Sequence, residues 1–140
     1  MSNSLAFFSD PGMTMAMTRM EAYQSSDGAS APVEQVVYLG SPVSGKKFRD
    51  AAAPGTGQIV LSVVDAAGGA QLPAASVRLA LSAGGLASAT PGAALPVGVE
   101  ILSGAGNSTP VHVRIDTAAQ AAAVYDNLSL AVSPTLEEPV

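Results

Sequence analysis

The heptapeptide Pro110-Val111-His112-Val113-Arg114-Ile115-Asp116 alternates apolar and polar residues without a break, and this period of two constrains the chain more than any other feature. A helix would scatter those apolar side chains around its axis. A strand puts Val111, Val113 and Ile115 on one face and His112 and Arg114 on the other. The same alternation places Val77, Leu79 and Leu81 inward in 76–82, Val99 and Ile101 inward in 97–102 with Glu100 outside, and Leu128, Leu130 and Val132 inward in 124–132 with Asn127 and Ser129 outside. Residues 33–39 read as a further strand. The run 58–65 is apolar on both faces through Ile59, Leu61, Val63 and Val60, Val64, which predicts a central strand covered on both sides. Residues 46–50, with the basic cluster Lys46-Lys47-Phe48-Arg49, read as a short edge strand with one buried Phe, its charges discouraging outward pairing. A short strand is also expected at 86–90. Turn signals separate these runs at Gly68-Gly69, Gly84-Gly85, Pro91-Gly92 and Gly104-Ala105-Gly106-Asn107, the last read as a hairpin turn. About eight strands at this spacing predict an all-β protein built as an antiparallel β-sandwich. A helical bundle is excluded, and the Ala-rich run 117–123 is too short for more than a single turn or a crossover. No period of about 20–50 residues recurs, which excludes solenoids and propellers.

A chain of 140 residues can bury one core of this kind but not two. We divide it into an N-terminal arm and linker (1–32), a sandwich domain (33–133) and a C-terminal tail (134–140). The arm differs from the rest in composition, because all five methionines, Met1, Met13, Met15, Met17 and Met20, lie within it. Asp10-Pro11 resembles a helix start, and Met13, Met17 and Met20 would then share a face. Met13, Met15 and Met17 equally fit an extended strand, and periodicity does not choose between the two. Methionine is unbranched and polarizable and fits irregular grooves, so the arm either docks on another protein or folds back over its own sandwich. For docking, Phe7, Phe8, Met13, Met15, Met17 and Met20 are the candidate partner-binding residues.

Chemistry is sparse. The chain has no Cys, no Trp and one His, and His112 and Asp116 are too far apart along one strand to form a dyad. No ligand spacing for a metal is present, though Asp65 or Asp126-Asn127 could join a Ca²⁺ site in a loop. Gly104-Ala105-Gly106 lacks the following helix that a phosphate cradle needs. We therefore expect no enzyme activity, no cofactor and no bound metal. A net charge of −5 argues against nucleic acid and anionic membranes as partners. No apolar run approaches the roughly 18 residues of a membrane helix. Only 12 % of residues are charged, which leaves a thinly solvated surface that a packed partner would explain. A carbohydrate-binding role would have to rest on Tyr38 or Tyr125 as an aromatic platform.

The segment Ala123-Val124-Tyr125-Asp126-Asn127-Leu128-Ser129-Leu130-Ala131-Val132 resembles the closing strand of jelly-roll modules of the carbohydrate-binding type. Taken whole, a small acidic, Ala/Gly/Val-rich chain with an adhesive arm and no Cys resembles the capsid cement, or head-decoration, proteins of tailed phages, the Bordetella-type short-tailed phages in particular. That resemblance implies a jelly-roll sandwich with a structural role in the virion. Made in the host cytoplasm, it would bind the outer surface of an icosahedral capsid and bridge neighbouring major capsid proteins. Copies would pair or trimerise at symmetry axes and hold the shell against the pressure of packaged DNA. The alternative is a carbohydrate-binding jelly-roll module on a virion or cell surface.

Overall fold

A computed structural model describes residues 4–17, 20, 21, 23, 27, 31–66, 72–117 and 127–140. The chain is all-β, and among the described residues no α-helix occurs. Ten strands form in order: β1 (Ala6–Phe8), β2 (Val33–Gly40), β3 (Lys46–Asp50), β4 (Ile59–Asp65), β5 (Val77–Ala80), β6 (Leu95–Gly98), β7 (Glu100–Leu102), β8 (Thr109–Ile115), β9 (Leu128–Val132) and β10 (Thr135–Pro139). They make one four-stranded sheet, β1-β2-β8-β5, and two three-stranded sheets, β10-β3-β7 and β6-β4-β9, with every pairing antiparallel.

The two three-stranded sheets are one bent layer. β3 and β4 hold the centre of each, β9 runs into β10 on one side and β6 into β7 on the other. The ladder carries across the bend, since Ser133 N–H donates to the Val60 carbonyl and Ala51 N–H to that of Pro134. Three devices bend it: the insertion at 51–58, the 133–134 step, and Gly98 at φ +123°, a conformation that L side chains rarely adopt. The Gly98 kink also divides the single strand expected at 97–102 into β6 and β7. From β2 onward the chain crosses between the four-stranded sheet and the bent layer after each strand or bent strand. Gly104-Ala105-Gly106-Asn107 therefore joins strands of opposite layers and is not a hairpin turn.

The core lies between the layers. Val37, Leu39, Val77, Leu79, Val111 and Val113 descend from the four-stranded sheet onto Phe48, Ile59, Leu61 and Ile101 of the bent layer. Leu39, Phe48, Ile59, Leu61 and Val111 are fully shielded from solvent. Burying side chains of this kind is worth about 1.5–3 kcal/mol each and dominates folding.

Several local expectations are corrected. β3 is central, not an edge. Its charges sit between acidic neighbours, with Arg49 Nε 3.1 Å from Glu100 and Nη1 3.8 Å from Glu138. β4 is central within its sheet but covered on one face only, and Val64 stays 42 % exposed. Residues 84–87 form a 3-10 turn where the strand at 86–90 was expected. The tail contributes β10, and the arm contributes β1. The Ala-rich run lies outside the described residues apart from Thr117.

Candidate interaction surface

The arm is built into the sandwich. β1 pairs with β2 in the register Phe7↔Leu39 and Phe8↔Tyr38, which points Phe7 inward, where it packs against the core. The chain then turns back. Met17 N–H donates to the Phe7 carbonyl, Ser9 N–H donates to that of Met15, and Phe8 bridges to Ala16. The Asp10 carboxylate organises the turn by accepting from the N–H groups of Thr14 and Met15 and from the Thr14 hydroxyl at 2.7 Å. Those hydrogen bonds, the hydroxyl's first, hold its pKa below the ordinary aspartate value.

At the apex Met13 takes φ +57°, a left-handed conformation that costs an L residue about 1–2 kcal/mol. Burial accounts for it, because Met13 is 3 % exposed. A Cβ added at Gly40 would sit 2.6 Å from Met13 Sδ, so the methionine lies on the outer face of the four-stranded sheet, over the one position without a side chain. The Ser108 hydroxyl donates to the Pro11 carbonyl at 2.9 Å and ties the turn down. Phe8 is buried on that same face, whereas Met17 and Met20 pack against the core. Of the six candidate partner-binding residues, only Met15, at 64 % exposure, is presented to solvent.

A second junction joins the chain's ends. Ser4 donates through N–H at 3.2 Å and hydroxyl at 2.5 Å to Glu137 Oε1 on β10, and its hydroxyl meets that of buried Ser41 at 2.6 Å. The Ser4 hydroxyl, then its N–H, and beyond them Lys46 hold the Glu137 pKa below the ordinary glutamate value. This clip closes one side of the sandwich between β1 and β10.

The remaining candidates separate. Tyr38 is half-buried on the outer face of β2, opposite Phe8 on one side and Pro110 on the other. Tyr125 lies outside the described residues. His112 projects from β8 between Val36 and Ala80 and forms no dyad with Asp116, four residues along. Asn127 is buried and acts as a staple, its amide donating to Asp65 and to the Leu72 carbonyl and accepting from Leu72 N–H. Asp126 lies outside the described residues. Among the described residues, no three His, Cys, Asp or Glu side chains converge as metal ligands would.

What the structure does bring together is an apolar surface on the outer face of the bent layer. The register sets Leu136, Arg49 and Glu100 in one row and Glu138, Lys47 and Leu102 in the next. Val140 follows on β10's outward side, its N–H donating to the Gly45 carbonyl, and Val43 lies in the loop before β3. Leu136 is 40 % exposed, Leu102 43 %, Val43 44 % and Val140 78 %. Exposed aliphatics thus alternate with a patch of paired charges, Arg49, Glu100, Lys47 and Glu138, on one face. Sequence reasoning misses Leu136 and Val140 because residues 134–140 read as a tail. The low charged fraction was the available signal. No family model, no curated protein and no solved structure matches the chain.

Proposed function

We propose that this protein is a structural virion protein of the capsid-decoration class. It binds the outer surface of an icosahedral capsid and cements neighbouring major capsid proteins, stabilising the shell against internal DNA pressure. The observation that carries this reading is the outer face of the bent layer, where Leu102 and Leu136 stand exposed among Arg49, Lys47, Glu100 and Glu138, with Val140 further along β10. Such a surface favours removal of its aliphatic groups from water against a partner, with the charged groups between them available to pair across the contact. The layered body suits a cement because it keeps this surface and Met15 at fixed separation, and several weak contacts add up when a rigid body engages more than one neighbour. The winding of the chain between layers supports the jelly-roll reading. In this proposal the partners are the major capsid protein and further copies of the chain, and the location is the outer face of the virion.

The test is co-sedimentation with empty shells assembled from the major capsid protein of the same virus. The wild-type chain is retained, and Leu102→Asp with Leu136→Asp weakens retention by about 30-fold, the effect of losing roughly 2 kcal/mol at a hot spot. Undiminished retention of that variant would remove the surface from the account. A saturable glycan-array signal lost on Tyr38→Ala would replace decoration with carbohydrate binding.

A further inference from the structure

The outer face of the four-stranded sheet carries a second feature, unrelated to the apolar surface on the opposite layer. The β5–β8 register sets Arg78 directly opposite Arg114, and the β2–β8 register sets Glu34 opposite Arg114 on its other side. Residues opposed in this way have Cα atoms about 4.5–5.5 Å apart, and like charges there repel. Glu34 answers only part of this charge, accepting from Arg114 Nη2 at 3.2 Å. The Nε of Arg114 is shut off from solvent without a hydrogen-bond partner. Arg78 forms no ion pair among the described residues. Two arginines thus start from opposed positions on one face, with donors unspent.

Their surroundings define what could use those donors. Val36 and His112 floor the next row of the face, and Tyr38 the one beyond. The Met13 turn rises over the sheet on the β1 side. On the β5 side the 3-10 turn at 84–87 closes in, where a Cβ added at Gly85 would come within 3.2 Å of the Ala80 methyl. The result is a bounded, partly apolar strip that ends in a pair of arginines.

We propose that Arg78 and Arg114 form a receptor for a single carboxylate, the Asp or Glu side chain of an acidic protein segment lying across this face. A carboxylate placed between the two arginines would relieve the repulsion and take up Arg78 through the paired hydrogen bonds that guanidinium forks make. Polyanions are disfavoured by the net charge of −5 and by the nearness of Glu34 and Asp116. The apolar floor suits the backbone and side chains flanking an acidic residue. This inference does not depend on the decoration reading.

The experiment is an NMR titration of the full chain, following the Arg114 Nε–H signal. The probes are the blocked tripeptide acetyl-Gly-Glu-Gly-amide, its Gln counterpart and inorganic phosphate, each taken into the millimolar range. We expect a saturable shift with the Glu peptide only, weakened at least tenfold in Arg78→Met and less in Arg78→Lys, which keeps the charge but loses the fork. No saturable shift with the Glu peptide, an equal shift with the Gln peptide, or tighter binding of phosphate would each overturn the proposal. Should Arg78→Met fail to fold, Arg78→Lys decides alone: unchanged affinity refutes the paired geometry. No capsid takes part, so failure here is separate from failure of the decoration reading.

Discussion

The two layers treat their outer faces in opposite ways. The four-stranded sheet is roofed by its own chain, with Met13 seated over Gly40 and the 84–87 turn against Ala80, so part of its outside is a second small interior. The bent layer has no such roof among the described residues, and Leu102, Leu136, Val64 and Val140 stand in water. A fold that spends its arm on covering one face and leaves aliphatics on the other has divided stability from contact. The covered face should matter to folding, and the bare one to binding.

Substitutions can break that division. Met13→Ala should cost about 2–5 kcal/mol, the usual toll for a buried Met, measured as a shift in the urea midpoint. A loss near zero would mean that the roof contributes nothing. Gly40→Ala comes next at about 1–3 kcal/mol, because the new methyl meets Met13 Sδ and the thioether must swing away. The acid limb of stability is a third probe. Asp10 and Glu137 both have folded pKa values below their unfolded ones, so their stabilisation is fully present above about pH 4–5 and is lost as pH falls through the folded values. Asp10→Asn combined with Glu137→Gln should flatten thermal stability between about pH 5 and pH 2. An unchanged profile would mean that other carboxylates carry the limb. On the bare face, Leu102→Ser and Leu136→Ser should change stability by no more than about 0.5 kcal/mol, as exposed positions do. A larger loss in urea unfolding would make that face part of the packed structure.

Much of the sandwich was readable from alternation. β8 lies where period two puts it, and β2, β3 and β4 lie close to the bounds read from their own runs, β4 from apolar residues on both faces. The elements that escaped are those where pattern cannot form. β1 spans three residues, too few for any period. β10 reads Thr-Leu-Glu-Glu-Pro, and Glu and Pro are depleted in strands; it is tolerated because it lies at a sheet edge with its Pro at the end. The pattern at 97–102 was right in its parity for Ile101 but silent about the kink, which depends on the backbone freedom of Gly98. Val99 then falls at the bend and stays 38 % exposed. The both-faces-apolar run of β4 misled for a related reason: apolar character on the outer face can mean a missing roof as well as a covering layer.

The candidate residues show the same limit. Methionine clustering correctly singled out the arm as unusual, but composition cannot tell a residue that reaches outward from one that folds inward. That depended on Asp10, Gly40 and Ser108, whose cooperation is three-dimensional. The arginine pair was equally hidden. Arg78 and Arg114 are 36 residues apart in sequence, and only strand register makes them neighbours.

The Ser4–Ser41–Glu137 clip has one more consequence. It holds Ser4, ahead of β1, beside Glu137 on β10, the last strand. A circular permutant joined there and opened in the exposed 54–56 turn would keep every strand pairing while moving the break to the bend between β3 and β4. The order in which the strands are connected and the order in which they are synthesised are thus separable in this fold.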